Sequence, residues 1–505
     1  MNNSNLYIMS LIKYYLRAYK IAFKDKELCK VLVTDPDFPS LASVSRTLNY
    51  YGLPSAAYLA DKESVPSLKG KLIHVSSNEG HFFVVRDQSE DNLTLFDGKI
   101  YTLSVNDFLE AWDGVVLIVE EPKVVNTFHR EWLSVQTRMA FFAVFCVLLL
   151  LGRCCTLPMY PVLLLSCIGL GLSVLQMKHR LGAGFTDGYC QIGKFFDCQF
   201  VSAKQPLPAR LPFVLDELGM FFFIWNILSV IMMGEVSMLH FVLLAFASLS
   251  CLGLLAYQAF FIHKYCMYCL GTYLAIWFST LLTIKIVVLP LNWGNIVYNA
   301  GIAACWALLL SYLVSLYYQN VKKAFENEMQ LLRLKRNHAV YKALSNRSQN
   351  VDDSEMSGML FGDKGVNCKI RMVVSLDCKF CRKVIREVAS LIKRFPQRFS
   401  CEVVLTDAIS SSTDGRDSYV SSRLREFNII QEYNKGNKDM SIFDKQYKKN
   451  IPEKLEFVSV VSQYSKNQEI IKKLSITKLP FVQINGKTKS PYYDISDYQY
   501  EIEIG

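Results

Sequence analysis

Six apolar runs dominate the middle of the chain, centred on residues 139–152, 158–177, 213–233, 238–262, 265–289 and 299–318. A helix needs about 20 predominantly apolar residues to cross a bilayer, and several runs reach that length. The first, "MAFFAVFCVLLLL", offers 13 unbroken apolar positions before Gly152 and Arg153, which suits a short, tilted or re-entrant segment. The third opens with Asp216 and Glu217, which belong at an interface. Residues 1–130 follow other periods. "PSLASVSRTLNYYG" has helical spacing and ends in Gly52, and "GKLIHV", "GHFFVVRD", "NLTLFDG" and "GVVLIVEE" read as short strands punctuated by Gly and Asn. Helices followed by an antiparallel sheet predict an α+β domain. Beyond 318 a polar, basic helical stretch runs to about 347, and "NRSQNVDDSEMSG" reads as a linker. From about 366, "CKIRMVVSLDCKFCRKVIREVASLIKRF" predicts a strand, a CxxC and a helix; "CEVVLTD" is the next strand, 411–470 is mainly helical, and "ITKLPFVQINGK" returns to strand and turn.

Composition agrees with a chain that is part membrane and part water-soluble. It has 505 residues, 51% apolar, with a positive mean hydropathy. Its net charge of +10 has no concentrated nucleic-acid signature, and the basic series within 322–347 reads as a solvated or membrane-flanking helix face. No clean signal or transit peptide opens the chain. The expected divisions are 1–130, 139–318, a basic helical linker at 319–365, and 366–505.

Fifteen cysteines change the picture. Cys146, Cys154, Cys155, Cys167, Cys251 and Cys305 lie in or beside apolar runs and read as small buried hydrophobes. Three pairs remain. Cys190 and Cys198 lie in the loop after the second run, Cys266 and Cys269 between the fourth and fifth, and Cys378 and Cys381 in the last domain. If the second run delivers its loop to one aqueous side, the third crosses away and the fourth returns, so "HKYCMYC" emerges on that side. The fifth and sixth repeat the cycle, and the terminal CxxC emerges there too. Thiol–disulfide exchange needs sulfur-to-sulfur contact, and this parity permits it. A pair at the membrane lip can face a soluble dithiol on one side and an apolar electron carrier, naturally a quinone, on the other. Basic residues of the 178–212 loop (Lys178, His179, Arg180, Lys194, Lys204, Arg210) run against the positive-inside tendency for an external loop. Other readings of the pairs are a zinc site, which lacks companion His spacing, a structural Cys190–Cys198 disulfide and a structural Cys378–Cys381 pair. The expectation is no metal.

These residues carry resemblances. Residues 156–318 resemble the vitamin K epoxide reductase family in its bacterial form fused to a thioredoxin-like domain. The resemblance implies that Cys266–Cys269 reduces quinone (ubiquinone or menaquinone), that Cys198 exchanges with Cys266, and that Cys190 faces the soluble partner. Ser202 offers the family's serine after the second loop cysteine, and Gly219 matches a glycine early in the next helix. Residues 366–505 resemble thioredoxin-like proteins of the DsbA type, which implies Cys378 as nucleophile, Cys381 as resolving thiol and Pro480 as the cis-proline; Leu479 stands where Thr or Val is common. Residues 1–125 resemble the C39 cysteine peptidases. His81 matches the catalytic His and Asp97 its orienting Asp, whereas Cys29 in "KELCKV" lacks the family's "DCG" context and upstream Gln, so the domain reads as degenerate.

Together these imply a multi-domain membrane protein: an α-helical transmembrane bundle flanked by an α+β papain-like (C39-like) domain and an α/β thioredoxin-like domain. The expected activity is quinone-dependent disulfide formation in exported proteins or peptides. The expected location is the bacterial inner membrane, with the thioredoxin-like domain outside the cytoplasm. Its partners are the lipid bilayer and reduced clients, and no nucleic acid. The alternatives are a C39-like peptidase or peptide-binding module with an accessory redox domain, and a disulfide reductase or isomerase.

Overall fold

The structure is a computed structural model that describes residues 7–61, 68–75, 81–89, 91–121, 159–180, 196, 198, 201, 215–233, 236–287, 293–345, 357–406, 424–446, 458–474, 476 and 478–500. The apolar run 139–152 lies outside these. Two units form: Met1–Ile21, Lys30–Thr127 and Gln330–Gly505 make one, and Ala22–Cys29 with Phe128–Met329 the other.

In the first unit, α1 (Tyr7–Ala18), α2 (Asp25–Val33, shared between the units) and α3 (Leu41–Tyr50) precede a six-stranded antiparallel sheet. Ser40 caps α3 by accepting the Ser43 N–H, and Gly52 beyond its end adopts φ +81°. The strands are β1 (Ser55–Leu59), β2 (Leu72–Val75), β3 (His81–Gln88), β4 (Asn92–Phe96), β5 (Ile100–Ser104) and β6 (Trp112–Val119), in the order β1-β6-β2-β3-β4-β5, with α4 (Val105–Ala111) before β6. The edge strands β1 and β5 carry little apolar alternation toward the core. Tyr58, Leu59, Ile100 and Leu103 are exposed, so periodicity does not announce them.

The C-terminal part of this unit has a sheet ordered β11-β10-β8-β9-β7. Its strands are β7 (Met359–Phe361), β8 (Cys368–Val374), β9 (Phe399–Leu405), β10 (Phe481–Ile484) and β11 (Lys487–Thr488), with β8 and β9 parallel. Strand β7 starts before residue 366, inside the stretch read as linker. Helices of this part lie at His338–Ser345, Lys379–Arg394, Leu424–Asn434, Ser441–Gln446 and Val458–Lys473.

The second unit holds α5 (Tyr160–Arg180), α6 (Leu215–Met233), α7 (Met238–Tyr257, continued by a π-helical turn Gln258–Ile262), α8 (Met267–Thr283) and most of α9 (Trp293–Arg336). Tyr160–Lys178, Met238–Ile262 and Trp293–Arg336 are long and apolar enough to span a bilayer, with shorter apolar helices at Glu217–Met233 and Met267–Thr283. This is a multi-pass membrane protein. Helix α5 packs against both α6 and α8, and glycine permits the close approach. A Cβ on Gly169 would stand 2.2 Å from the Phe223 ring, and one on Gly271 2.9 Å from Leu172. Gly219 faces Ser173. The starts of α6 and α8 therefore lie level with one another beside the C-terminal end of α5. Glu217 accepts from Arg180 at 3.2 Å and from Ser315 at 2.9 Å, which brings the late apolar part of α9 to that same end.

The basic series after 318 is only partly a solvated face. Arg336 is buried and donates to Val31 O, to Thr34 Oγ1 at 2.8 Å and to Asp35 Oδ2 at 2.9 Å. Lys335 meets Asp497 at 2.6 Å. The Tyr50 ring lies parallel to that of Tyr500 at 6.1 Å, beneath the Arg394 guanidinium. Burial of these charges follows from paired hydrogen bonds, and it joins the N-terminal and C-terminal parts.

Candidate redox sites

The α8 pair sits where a helix begins. Cys266 is the N-cap of α8, in extended conformation, and its sulfur accepts the Cys269 N–H at 3.4 Å. This satisfies one of the orphan donors of the first turn and aims helix-terminal N–H groups at the leading sulfur. Both cysteines are buried with Cys198, Cys251 and Tyr273 in one apolar cluster. Cys198 thus shares its buried environment with Cys266. A bridge between Phe196 and Tyr265 holds the segment there, and their rings are 6.1 Å apart. Cys190 and Ser202 lie outside the described residues.

On the other side, Cys269 lines a cavity of about 690 Å³. Phe222, Trp225, Leu243 and Ile276 supply apolar walls, and Gln176 and Tyr273 supply polar groups. An apolar chamber with few polar groups suits a quinone ring. Gly219 also lines it, and so does Cys251, which the sequence reads only as a small hydrophobe. Tyr273 escaped sequence reasoning although it follows Cys269 by one helical turn, the spacing that puts both on one face.

The second CxxC repeats the local geometry in water-facing form. Cys378 is the N-cap of α10 (Lys379–Arg394), and its sulfur accepts the Cys381 N–H at 3.4 Å. Cys381, Ile385, Val388 and Leu391 form the buried stripe of that helix, while Phe380 between the cysteines is 75% exposed. Burial opposes ionisation of Cys378. Hydrogen bonds from the Cys381 side chain and from the backbone N–H groups of Cys381 and Phe380, with the Arg382 charge, outweigh it and hold the thiol below its ordinary value. Burial and the neighbouring Cys378 push Cys381 up. Alkylation by iodoacetamide should therefore reach half its maximal rate at lower pH for Cys378 than for Cys381 or free cysteine. Equal midpoints would contradict this asymmetry. Phe481 pairs with Val373, so the Leu479–Pro480 bond, which is cis, lies at the end of β8 that leads to Cys378.

In the N-terminal domain His81 Nε2 meets Asp97 Oδ2 at 3.0 Å. The Tyr7 ring stacks on His81 at 3.9 Å and 9°, with the Tyr7 hydroxyl held by the Phe82 N–H. Cys29 is fully buried in the middle of α2. Among the described residues, no group of three His, Cys, Asp or Glu side chains gathers as a metal site.

A helix-start dithiol between a cysteine-bearing loop segment and an apolar membrane chamber defines a membrane redox protein. The profile of the vitamin K epoxide reductase family matches residues 160–284, and that of the peptidase C39 family matches residues 6–123. The chain thus carries a vitamin K epoxide reductase family domain, with the enzymatic, quinone-linked redox activity that membership implies, behind a C39-peptidase-like domain. Among solved structures, the catalytic domain of Proteus mirabilis ScsC is 11% identical over 33% of this chain and 98% of its own, with TM-score 0.20. Proteus mirabilis ScsC in a transitional conformation is 12% identical over 39% and 98%, with TM-score 0.21. Likeness at that level carries no argument about the C-terminal domain. No curated protein matches the sequence.

Proposed function

We propose that this protein forms disulfides in exported proteins or peptides and passes the electrons to ubiquinone or menaquinone. The observation that carries the reading is the two-sidedness of the α8 pair: Cys266 is buried in one cluster with Cys198, while Cys269 lines the apolar chamber. A client dithiol attacks the Cys378–Cys381 disulfide and leaves as a disulfide. The reduced pair exchanges with Cys190–Cys198, which exchanges with Cys266–Cys269. Each exchange moves two electrons and two protons and conserves one S–S bond. A quinone in the chamber takes up the two electrons and two protons given when Cys266 and Cys269 close their disulfide. Leu243, Phe222 and Trp225 would hold its ring and exclude water, with Tyr273 beside the sulfur.

Phe380, exposed between the outer cysteines, suits contact with an unfolded apolar client. The lowered pKa of Cys378 favours its release as a thiolate and so makes that disulfide the more oxidising. We read the C-terminal domain as thioredoxin-like on its β-CxxC-α arrangement, with Pro480 beside the end of β8.

The N-terminal domain serves as a docking module in this reading. A peptidase nucleophile needs access to substrate and to its histidine, and a fully buried Cys29 together with a His81 face covered by Tyr7 argues against cleavage. Through Arg336 and Tyr50 the domain packs with the C-terminal part in one unit, so both belong on one side of the membrane. The chain then crosses an even number of times between Glu121 and Asn337. That side is extracytoplasmic, where clients need disulfides.

The test is quinone reduction by the detergent-purified protein given a reduced two-cysteine peptide. Wild type should turn over and Cys378→Ala should not. Reshuffling or reduction of disulfides without quinone turnover would replace this reading with the isomerase or reductase one.

A further inference from the structure

The chamber beside Cys269 holds one polar side chain that the protein itself does not engage. Gln176, near the C-terminal end of α5, lines it and is 8% exposed. It has no hydrogen-bond partner among the described residues. The polar groups around it are committed. Ser173 Oγ donates to Gly169 O at 3.0 Å, Ser250 Oγ to Phe246 O at 2.9 Å and Thr272 Oγ1 to Cys269 O at 2.7 Å. The Trp225 indole N–H donates to Ala300 O at 3.3 Å, and Gln258 Nε2 donates to the Tyr273 hydroxyl oxygen at 3.3 Å. An amide buried without a partner is costly, so a native one calls for a partner from outside the chain.

Its placement selects the partner. Gln176 follows Ser173 by three residues and precedes Arg180 by four, so the three share one face of α5. That face meets the start of α6: a Cβ on Gly219 would stand 3.1 Å from Ser173 Oγ, and Arg180 donates to Glu217. Leu172 meets Gly271, two residues after Cys269. Gln176 therefore stands at the dithiol end of the chamber. On the α7 and α9 walls, Phe246 and Val297 line the chamber and are also exposed, so that flank is open to lipid. An occupant that arrives from lipid and needs one polar anchor is a flat apolar ring with oxygens on its rim.

We propose that Gln176 is a quinone-binding residue whose amide N–H donates to one ring carbonyl oxygen and so holds the ring at the Cys269 end of the chamber. Turnover and the direction of electron flow rest on the quinone-reductase reading above; the contact between Gln176 and a ring oxygen does not. A glutamine donates through its NH₂ and accepts through its oxygen, and it does not titrate. It can hold the same ring oxygen as a carbonyl and, after two electrons and two protons have passed from Cys266 and Cys269, as a hydroxyl. Gln176 itself neither gives nor takes a proton.

Duroquinone and durene separate the possibilities. They share ring and methyl groups, and durene carries C–H where duroquinone carries C=O. Both are titrated calorimetrically into the full-length protein in detergent. Gln176→Met matches glutamine in size and cannot donate. It should raise the Kd of duroquinone about fivefold, the worth of one neutral hydrogen bond, and leave that of durene unchanged. The unchanged durene affinity also shows that the chamber has kept its shape. Equal weakening of both ligands would make Gln176 a packing residue, and an unmoved duroquinone Kd would mean no contact; either result overturns the proposal, as does wild-type protein that binds no duroquinone. A second measurement needs no variant. In the infrared spectrum of duroquinone bound to wild type, one carbonyl band should lie below the other, and two unshifted carbonyls overturn the proposal. With dithiothreitol as donor, Gln176→Met should raise the KM for duroquinone by a similar factor and change kcat by less than about twofold, because the contact is made equally before and in the transition state. A selective loss of duroquinone affinity in a protein that reduces no quinone overturns the relay and leaves the role of Gln176 standing.

Discussion

Cys269→Ala should bring quinone reduction down to the uncatalysed level while leaving Cys378 and Cys381 able to oxidise a client once. Cys269 is the cysteine of the α8 pair that lines the chamber. Without it Cys266 can still exchange with Cys198 but cannot close a disulfide beside the acceptor. The exchange partner can be captured as well. In the double variant Cys190→Ser with Cys269→Ala, no neighbouring thiol of the relay remains to release Cys198 from Cys266. Mild oxidation with diamide should then join those two cysteines, which share one buried cluster, and mass spectrometry of the unreduced digest should find the cross-linked peptides. Retained turnover in Cys269→Ala, or Cys198 joined to a different cysteine, would remove the basis of the electron path.

The second large effect concerns stability. Asp35 is 1% exposed and accepts from two guanidinium groups, Arg46 at 2.7 and 2.9 Å and Arg336 at 2.9 Å. Asp35→Ala leaves the buried Arg336 without its counter-charge, and breaking a buried pair from one side costs about 3–5 kcal/mol. Arg336→Ala should cost less, because Asp35 keeps its two bonds to Arg46. Both changes loosen the packing of the N-terminal domain on the C-terminal part. Amide hydrogen exchange of α3 should accelerate in the order Asp35→Ala, then Arg336→Ala, then wild type, by about two to three decades for the first. Protection equal in all three proteins would mean that this junction contributes nothing.

Much of the redox architecture is legible in the sequence because its constraints are local or additive. A helix-start CxxC declares itself by spacing, so Cys266–Cys269 and Cys378–Cys381 could be named without coordinates. The count of apolar runs supplies the common end of the bundle that Arg180, Glu217 and Ser315 then bring together. The burial of Gln258 was hidden, since a single polar residue in an apolar run gives no hint that a π-turn will bury it. The chamber was hidden too, because Phe222 and Trp225 have no signature that separates lining from lipid contact. Arg336 illustrates a third limit. Charge patterning reads it as solvated, and only tertiary packing against Asp35 and Thr34 reveals a buried ion pair.

An enzyme that trades disulfides carries its own hazard, because each additional thiol is a wrong address. Cys29, Cys368 and Cys401 are kept away from that traffic by burial. Burial pushes the thiol of Cys368 up to about 12 and that of Cys401 up as well, so neither presents a thiolate at physiological pH. Fidelity of electron routing in the water-soluble domains is therefore a property of their cores as much as of the relay. A substitution that loosens strands β8 and β9 would first appear as scrambled cysteines, ahead of any loss of fold.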